Sequence, residues 1–355
     1  MPLLEGVRVI ELSTDAGIAA CGRVLACWKA EVIKVETGQD ADCDICEKLF
    51  REVLDSGKKT IKLDLETNEG QACLDSLLAG ADVFLTGFAE SSPKWPVPDY
   101  KGLSAKYPSL IYATLNAYGS RGKLSDVKGT GAISFWARSG FTGFFGEPDA
   151  PPVSPLPGMD TQVSGTFLAN GVAAALIGRI RTGRGERVET SMYHAAIWAA
   201  GLFNATSNYW ENPRKTRKRP DAPLINSFCA RDGKWFYTAI MEHERHWPLL
   251  CACLDRPDLA ENERFSVFRN AVSASSELTA LLDDAFATKD RSEWLALLKE
   301  KDIPVGAIFD AHEVLEDIQA EENGYIECCT DEDGHSARVP SPPTHFIGDD
   351  KNGTA

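Results

Sequence analysis

Short hydrophobic runs alternate with amphipathic stretches along the first half of the chain. Val7–Leu12 and Glu31–Glu36 are mostly apolar, β-branched segments typical of buried strands. Between them, Ala19–Trp28 has the spacing of a helix. A strand, a helix and a second strand within about thirty residues predict a βαβ unit with a parallel pair of strands.

The same alternation continues to residue 209. Further strands are predicted at Gly57–Leu65, Asp82–Leu85, Leu110–Leu115 and Glu186–Thr190, and helices at Asn68–Leu78, Tyr100–Lys106, Ile133–Arg138 and Met192–Tyr209. This order predicts an α/β fold with a doubly wound, Rossmann-like large domain. The G-x-G-x-x-G fingerprint of dinucleotide-binding proteins is absent from the first turn.

One apolar helix is predicted from Gly165 to Arg181, with Gly183 as its stop. Three prolines and Gly158 precede it, so regular structure is expected to start only after Asp160. A helix N-terminus favours the ionised form of a carboxyl group. Asp160 is therefore either a nucleophile on a shaped loop or simply a helix cap.

A second region, built differently, runs from Leu224 to about Ile308. Phe228–Ile240 reads as a hairpin, followed by helices at Glu277–Ala287 and Arg291–Lys301 and a strand at Val305–Phe309. We predict a large α/β domain over 1–212 with 315–355 returning to it, a linker over 213–223, and a small α+β domain over 224–314.

The charge of the chain restricts the kinds of partner that it is expected to bind. The 355 residues carry a formal net charge of −15, which argues against nucleic acid and anionic membranes. The start of the chain does not resemble a signal peptide, and no apolar run looks long enough to span a bilayer. A cytoplasmic location is therefore expected.

The cysteines and histidines predict no metal site. The ten cysteines read as reduced thiols, and Cys43–Cys46, the sole C-x-x-C, lacks a second pair at zinc spacing. His243 and His246 have the wrong spacing for a metalloprotease helix and suggest a polar helix face.

The basic run Arg214–Arg219 lies between two prolines in an otherwise acidic chain. Two interpretations stay open. It is a solvated linker, or it is a site for a phosphorylated ligand.

Several blocks together resemble the family III CoA-transferases of the CaiB/BaiF type, which include formyl-CoA transferase. They are LEGVRVIELS, AEVIKVE, GKKTIKLDL, AGADVFLTGF, KYPSLIYATLNAYGSRG, RTGRGERVETSMYHA and, near the end, ATKDRSEWLALLKEKDIPVGAIFDAHEVLED. The stretches SFWARSGFTG and GMDTQ are most similar to the branch acting on 2-hydroxyacids such as phenyllactate and 2-hydroxyisocaproate.

The resemblance implies an activity. CoA would move from an acyl-CoA donor to a carboxylic acid acceptor through aspartyl anhydride and aspartyl-CoA thioester intermediates, with Asp160 as the nucleophile. It implies that CoA enters as a substrate and that no cofactor is bound permanently. It also implies an interlocked homodimer.

The resemblance further implies two sets of binding residues. Those for the CoA moiety are Ser13, Ile18, Ala19, Lys58, Lys59, Phe88 and Lys94. The alternative for the two adjacent lysines is a solvated turn. For the acyl or acid substrate the resemblance implies Gln162. Trp136 and Phe141 are apolar side chains that could also line this pocket, although they fit a core equally well.

Departures from the family pattern leave a second possibility, a diverged and non-catalytic CoA-binding protein. Thr37–Ile45 supplies no arginine, and Gly87 stands where the family has Asn. An α-methylacyl-CoA racemase is the third possibility, but Gly129–Gly131 lacks the His that its proton transfer requires.

Overall fold

The computed structural model describes residues 3–38, 45–87, 99–153, 157–209, 215–330, 336–344 and 346, without the side chains of 45–49. The chain divides into two compact units. The first comprises Met1–Gly143, Val153–Asn212 and Glu321–Ala355, and the second comprises Phe144–Pro152 and Pro213–Ala320. These bounds place 144–152 outside the first unit, unlike the bounds predicted from the sequence.

The first unit is organised around a six-stranded sheet whose strands are all parallel. The strands are β1 Arg8–Leu12, β2 Glu31–Glu36, β3 Lys59–Lys62, β4 Val83–Thr86, β5 Ile111–Asn116 and β6 Arg187–Ser191. Their order, β3-β2-β1-β4-β5-β6, is that of a Rossmann-like sheet. The predicted parallel α/β sheet is confirmed.

Helices cover both faces of this sheet. They are α1 Ala16–Cys27, α2 Ile45–Asp55, α3 Asn68–Ala79, α4 Tyr100–Lys106, α5 Met159–Thr182, α6 Met192–Ala199 and α7 Gly201–Thr206, with a π-helix at Ala132–Ala137 and a 3₁₀ turn at Phe141–Gly143. The single helix predicted over 192–209 is wrong. It is two helices, because the backbone leaves helical geometry at Ala200 (φ −89°, ψ 10°).

Two apolar cores lie on the two faces of the sheet. One joins β1 and β4 to α1 and α5 through residues such as Val9, Ile18, Leu85 and Leu168. The other joins Ile10, Phe84 and Tyr112 to α3 and α4. Strands covered on both sides read as continuous hydrophobic runs, which is why the sequence pattern identified them.

Helix α5 has 24 residues, and an 18-residue window within it has a mean hydropathy of 1.4. By length and composition alone it could cross a membrane, so the expectation that no segment reaches that length is wrong. It packs on α1, β5 and β6 instead. Such a helix is equally typical of a protein core.

The C-terminal part of the first unit forms a hairpin that the sequence did not predict. Strands β10 Ile326–Thr330 and β11 Ser336–Pro340 pair antiparallel. Buried Arg23 of α1 donates to the backbone oxygen of Pro340 at 3.0 Å and pairs with Glu327. These bonds hold the hairpin against α1.

The second unit contains an antiparallel sheet of β7 Ile225–Cys229, β8 Trp235–Ala239 and β9 Val305–Ala307. Its helices are α8 His243–Cys253, α9 Pro257–Ala260, α10 Glu263–Ser266, α11 Phe268–Ser273, α12 Ser275–Phe286, α13 Arg291–Glu300 and α14 Ala311–Leu315; α15 Ile318–Glu322 spans the boundary between the units. Phe228, Phe236, Phe286 and Trp294 pack together in its core.

Two sequence interpretations change here. His243 and His246 do not form a polar face, because both are buried and bond to backbone oxygens. Arg217 of the basic run donates hydrogen bonds to Asp283 and to the backbone oxygen of Ser227. Its charge is therefore neutralised within the second unit and does not point to a phosphate site. Lys215 pairs with Asp221 at 2.6 Å. Arg214 lies outside the described residues.

Candidate active site

Asp160 lies in the first turn of α5, and its side chain is half-buried. The helix begins at Met159, so the prediction that regular structure starts only after Asp160 is wrong. Gly158 makes the early start possible, because it adopts φ +102°, a conformation that favours glycine, and ends the loop there. Its N–H also donates to Asp160 Oδ1 at 3.2 Å. The unpaired amides of a helix N-terminus stabilise a carboxylate at this position.

The backbone of Gly131 is in direct contact with the carboxylate of Asp160. A Cβ atom added at Gly131 would overlap Asp160 Oδ2, so the carboxylate packs directly against the glycine backbone. Gly131 precedes the π-helix Ala132–Ala137, a rare element often found at functional sites. The sequence analysis did not assign this role to Gly131.

A second carboxylate occupies the loop after β1. Asp15 Oδ1 accepts hydrogen bonds from the N–H groups of Gly17 at 2.8 Å and Ile18 at 3.3 Å, and so caps α1. Burial raises the pKa of Asp15, and the charge of Asp160 raises it further, while the two backbone bonds oppose the shift. The sequence analysis assigned no role to this side chain.

These groups gather at the carboxyl edge of the sheet. Ser13 and Asp15 follow β1, and a Cβ atom at Gly87, which follows β4, would lie 2.7 Å from Ser13 Oγ. The order of the strands reverses between β1 and β4. In doubly wound sheets this switch point is where ligands bind.

The two helices that carry the carboxylates are fixed to each other. A Cβ atom at Gly165 of α5 would lie 2.6 Å from the backbone oxygen of Gly17 and 2.8 Å from the N atom of Cys21 in α1. Only glycine permits the two helices to cross so closely. Asp160 is five residues before Gly165 in the same helix. The crossing therefore sets the position of Asp160 relative to α1.

The predicted phosphate-binding role of Lys58 does not fit its contacts. Its side chain is fully buried, and Nζ donates to Glu11 Oε2 at 2.8 Å, to the Ala19 backbone oxygen at 2.9 Å and to Asp55 Oδ1 at 3.4 Å. An ammonium has three protons, so none is left for a phosphate. Burial raises the pKa of Glu11, and Lys58 partly offsets that shift.

Lys59 differs from its neighbour. Its side chain is 72% exposed and pairs at 2.7 Å with Glu31, at the start of β2 and thus toward the amino edge of the sheet. The hydrogen bonds from Lys59 and Arg8 lower the pKa of Glu31. A CoA contact for Lys59 stays a prediction.

The other predicted CoA residues fall into three groups. Ser13 lies beside Gly87 at the switch point, and its Oγ accepts from the N–H of Asp15 at 2.9 Å. Ile18 is fully buried in the core, so only its backbone could meet a ligand, and the oxygen of Ala19 is taken by Lys58. Phe88 and Lys94 lie outside the described residues.

Two of the predicted substrate-pocket residues, Trp136 and Phe141, contact each other, but they do so in the core of the first unit. Gln162 is exposed, two residues after Asp160. Trp136 is 5% exposed, and it packs with Phe135 and Phe141 in the core of the first unit. For Trp136 the pocket prediction is therefore corrected to a core role, because its side chain is buried against neighbouring aromatic rings.

The reactive group that this site offers is the carboxylate of Asp160, which is held by the backbone of Gly158 and Gly131. No group of three or more His, Cys, Asp or Glu side chains that could hold a metal occurs among the residues that the structure describes. Asp160 is partly exposed and is oriented by a backbone N–H, two features that suit a nucleophile.

Comparison with known proteins shows which family the chain resembles along its length. Residues 4–352 match the model of CoA-transferase family III. The chain is 29% identical to (R)-2-hydroxy-4-methylpentanoate CoA-transferase of Clostridioides difficile, over 97% of this chain and 89% of the relative. It is 28% identical to cinnamoyl-CoA:phenyllactate CoA-transferase of Clostridium sporogenes, over 91% and 82%.

Among solved structures, the fold matches that of a CAIB/BAIF family protein from Brucella suis. The TM-score is 0.86 at 25% identity, and the match covers 97% of this chain and 92% of that one.

Proposed function

The chain belongs to CoA-transferase family III, and from that membership we propose that Asp160 is the nucleophile that carries CoA from an acyl-CoA donor to a carboxylic acid. The observation that carries the proposal is the position of its carboxylate. It lies at the N-terminus of α5, oriented by Gly158 and backed by Gly131, on the carboxyl edge of the sheet.

The first half of the proposed reaction loads CoA onto the protein. Asp160 attacks the thioester carbonyl of the donor, the C–S bond breaks, and CoA leaves as the thiolate from an aspartyl anhydride. The thiolate then attacks the carbonyl carbon of Asp160, and the donor leaves as a free carboxylate. The product is an aspartyl-CoA thioester.

The second half is the reverse with a different acid. The acceptor carboxylate attacks the aspartyl-CoA thioester and expels the thiolate, which gives a second anhydride. The thiolate attacks the acceptor carbonyl, the new acyl-CoA leaves, and the carboxylate of Asp160 is restored. Each step exchanges one anion for another, so no proton has to be moved.

The electrostatics suit this exchange. The N-terminal amides of α5 stabilise the negative charge that passes between carboxylate and thiolate. Asp15 is close enough to Asp160 for the charge of Asp160 to raise the pKa of Asp15, after the larger effect of burial. A carboxylate that is held in place but not fully stabilised is a better nucleophile than one locked in an ion pair.

We further propose an aromatic or branched 2-hydroxyacid as the acceptor. The support is the names of two relatives, which act on 2-hydroxy-4-methylpentanoate and phenyllactate. Others at similar identity are named for citramalate and glutarate, so a test needs both kinds of acid.

We also propose a homodimer, on the basis of exposed apolar side chains in the first unit. Ile180, Trp198 and Leu202 are 84%, 74% and 88% exposed. Exposed apolar side chains that form a contiguous patch mark surfaces where proteins associate. Light scattering of the purified protein tests this, and a monomer at micromolar concentration would contradict it.

The function is tested by exchange assays on Asp160→Asn, with donor acyl-CoAs and a panel of carboxylic acids. We expect turnover to fall by at least about a thousand-fold, because the amide cannot form the anhydride. Asp302→Asn is the control, since the side chain of Asp302 is 95% exposed in the second unit.

Two results would count against the proposal. Turnover by Asp160→Asn at the wild-type rate would exclude Asp160 as the nucleophile. Absence of exchange in the wild-type protein with every acid, together with CoA binding, would favour the non-catalytic alternative.

A further inference from the structure

Arg138 is an arginine held in place by aromatic rings. Its guanidinium carbon lies 5.9 Å from the ring centroid of Tyr118 and 5.5 Å from that of Tyr193. The two rings meet edge to face at 6.5 Å, so they form a corner around the cation. Such stacking fixes the plane of a guanidinium and leaves its N–H groups free to point outward.

What distinguishes Arg138 is the lack of a carboxylate partner. Among the described residues, three other arginines stack on aromatic rings, and each also pairs with an acid: Arg187 with Glu189, Arg217 with Asp283, and Arg291 with Glu313. Within the described part of the chain, no carboxylate bonds to Arg138, and its side chain is exposed. Its charge is oriented but not neutralised.

The corner lies on the same edge of the sheet as Asp160. Tyr118 follows β5 and Tyr193 is in the first turn of α6, directly after β6, and the N–H of Tyr193 donates to the backbone oxygen of Ala117. Tyr118 also touches Gly129, since a Cβ atom there would lie 2.9 Å from its ring. Gly129 is two residues from Gly131, which faces the nucleophile.

The segment that supplies the corner is basic. Residues 117–138 contain Arg121, Lys123, Lys128 and Arg138 against the single acid Asp126, in a chain whose net charge is −15. Charge of this sign at the ligand-binding edge attracts anions.

We propose that Arg138, held by Tyr118 and Tyr193, binds an anionic group of the substrate other than the carboxylate that reacts at Asp160. The group is a carboxylate or a phosphate, both of which match the fork of a guanidinium. It would come from a phosphate of CoA or, with a dicarboxylic acceptor such as those named for two relatives, from the second carboxylate of the acid. This inference rests on the proposed function.

The test is the kinetics of Arg138→Gln on paired substrates. Glutarate is compared with pentanoate as acceptor, and acyl-CoA is compared with acyl-pantetheine, which lacks the phosphates, as donor. We expect kcat/KM to fall at least about ten-fold for the anionic member of one pair and to change by less than about two-fold for its neutral-ended counterpart. A loss with glutarate identifies a carboxylate, and a loss with acyl-CoA identifies a phosphate.

Arg181→Gln is the matched control, because Arg181 is exposed at the far end of α5. Arg138→Lys keeps the charge without the planar fork and is expected to fall between the wild type and Arg138→Gln. An equal loss on all four substrates, or no loss on any, would overturn the proposal. Binding of CoA and of glutarate to Asp160→Asn, with and without Arg138→Gln, keeps this test separate from turnover.

Discussion

The two edges of the parallel sheet are organised in opposite ways. At the amino edge, Arg8, Glu31, Lys59 and Asp82 line a cleft of about 640 Å³. Each of them is paired: Arg8 and Lys59 with Glu31, and Asp82 with Arg179. At the carboxyl edge, Asp15, Asp160 and Arg138 have no partner of opposite charge among the described residues.

The two edges therefore offer a ligand different chemistry: paired charges at the amino edge and unpaired charges at the carboxyl edge. Opposite charges in contact satisfy each other and stabilise the fold or do nothing. Charges that are positioned by backbone and rings, without being neutralised, are available to a ligand. The predictions below test this contrast.

Lys58 gives the largest expected effect on stability. Replacing it in Lys58→Met leaves Glu11 buried without its partner, and we expect the free energy of unfolding to fall by about 3–5 kcal/mol. Urea denaturation measures this. The double variant with Glu11→Leu removes both charges and is expected to recover most of the loss, whereas a loss below about 1 kcal/mol in the single variant would show that the pair is not structural.

Gly131 tests the positioning of the nucleophile. In Gly131→Ala the new methyl group displaces the carboxylate of Asp160, and we expect kcat to fall about a hundred-fold. Gly178→Ala, near the C-terminal end of α5 with open space around it, is the control. Equal activity of the two variants would mean that the contact at Gly131 does not position Asp160.

Asp15 is tested through the pH dependence of stability. Its pKa is raised in the folded state, so the folded protein binds the proton more tightly than the unfolded chain. The stability that the protonated group contributes is therefore lost as the pH rises from about 3.8 through the folded pKa.

Asp15→Asn keeps a capping side chain but cannot titrate. We expect it to gain stability relative to the wild type across this window and to hold that gain at higher pH. Denaturation curves at a series of pH values give the difference. A difference that does not change with pH, or that shrinks as the pH rises, would contradict the shift.

Lys59 gives the smallest expected effect. Its exposed pair with Glu31 contributes little, so Lys59→Met should change the free energy of unfolding by less than about 0.5 kcal/mol. The KM for acyl-CoA should change by less than about two-fold if the amino edge binds no ligand. A clear rise in KM would instead support the CoA contact implied by the family resemblance.

The parallel sheet could be predicted from the sequence because buried strands such as β1 and β5 are nearly continuous apolar runs. The sequence also predicted that Asp160 lies where a proline-rich loop meets an apolar helix, and Asp160 is in the first turn of α5. It misplaced the start of α5 because the left-handed conformation of Gly158 is a property of the folded loop.

The sequence could not separate Lys58 from Lys59. Adjacent residues entering a strand point to opposite sides, but the pattern does not say which side is buried. That is decided by Glu11, which is 47 residues away. The role of Gly131 could not be predicted for the same reason, since the carboxylate that it contacts is that of Asp160, 29 residues later in the chain.

The central claim is that Asp160 forms a covalent bond to the substrate. The most direct test is intact-protein mass spectrometry after incubation with a panel of acyl-CoAs, followed by trapping with hydroxylamine and peptide mapping. We predict a hydroxamate on Asp160 that is absent from Asp160→Asn. No adduct with any donor, or an adduct on another residue that persists in Asp160→Asn, would contradict the account.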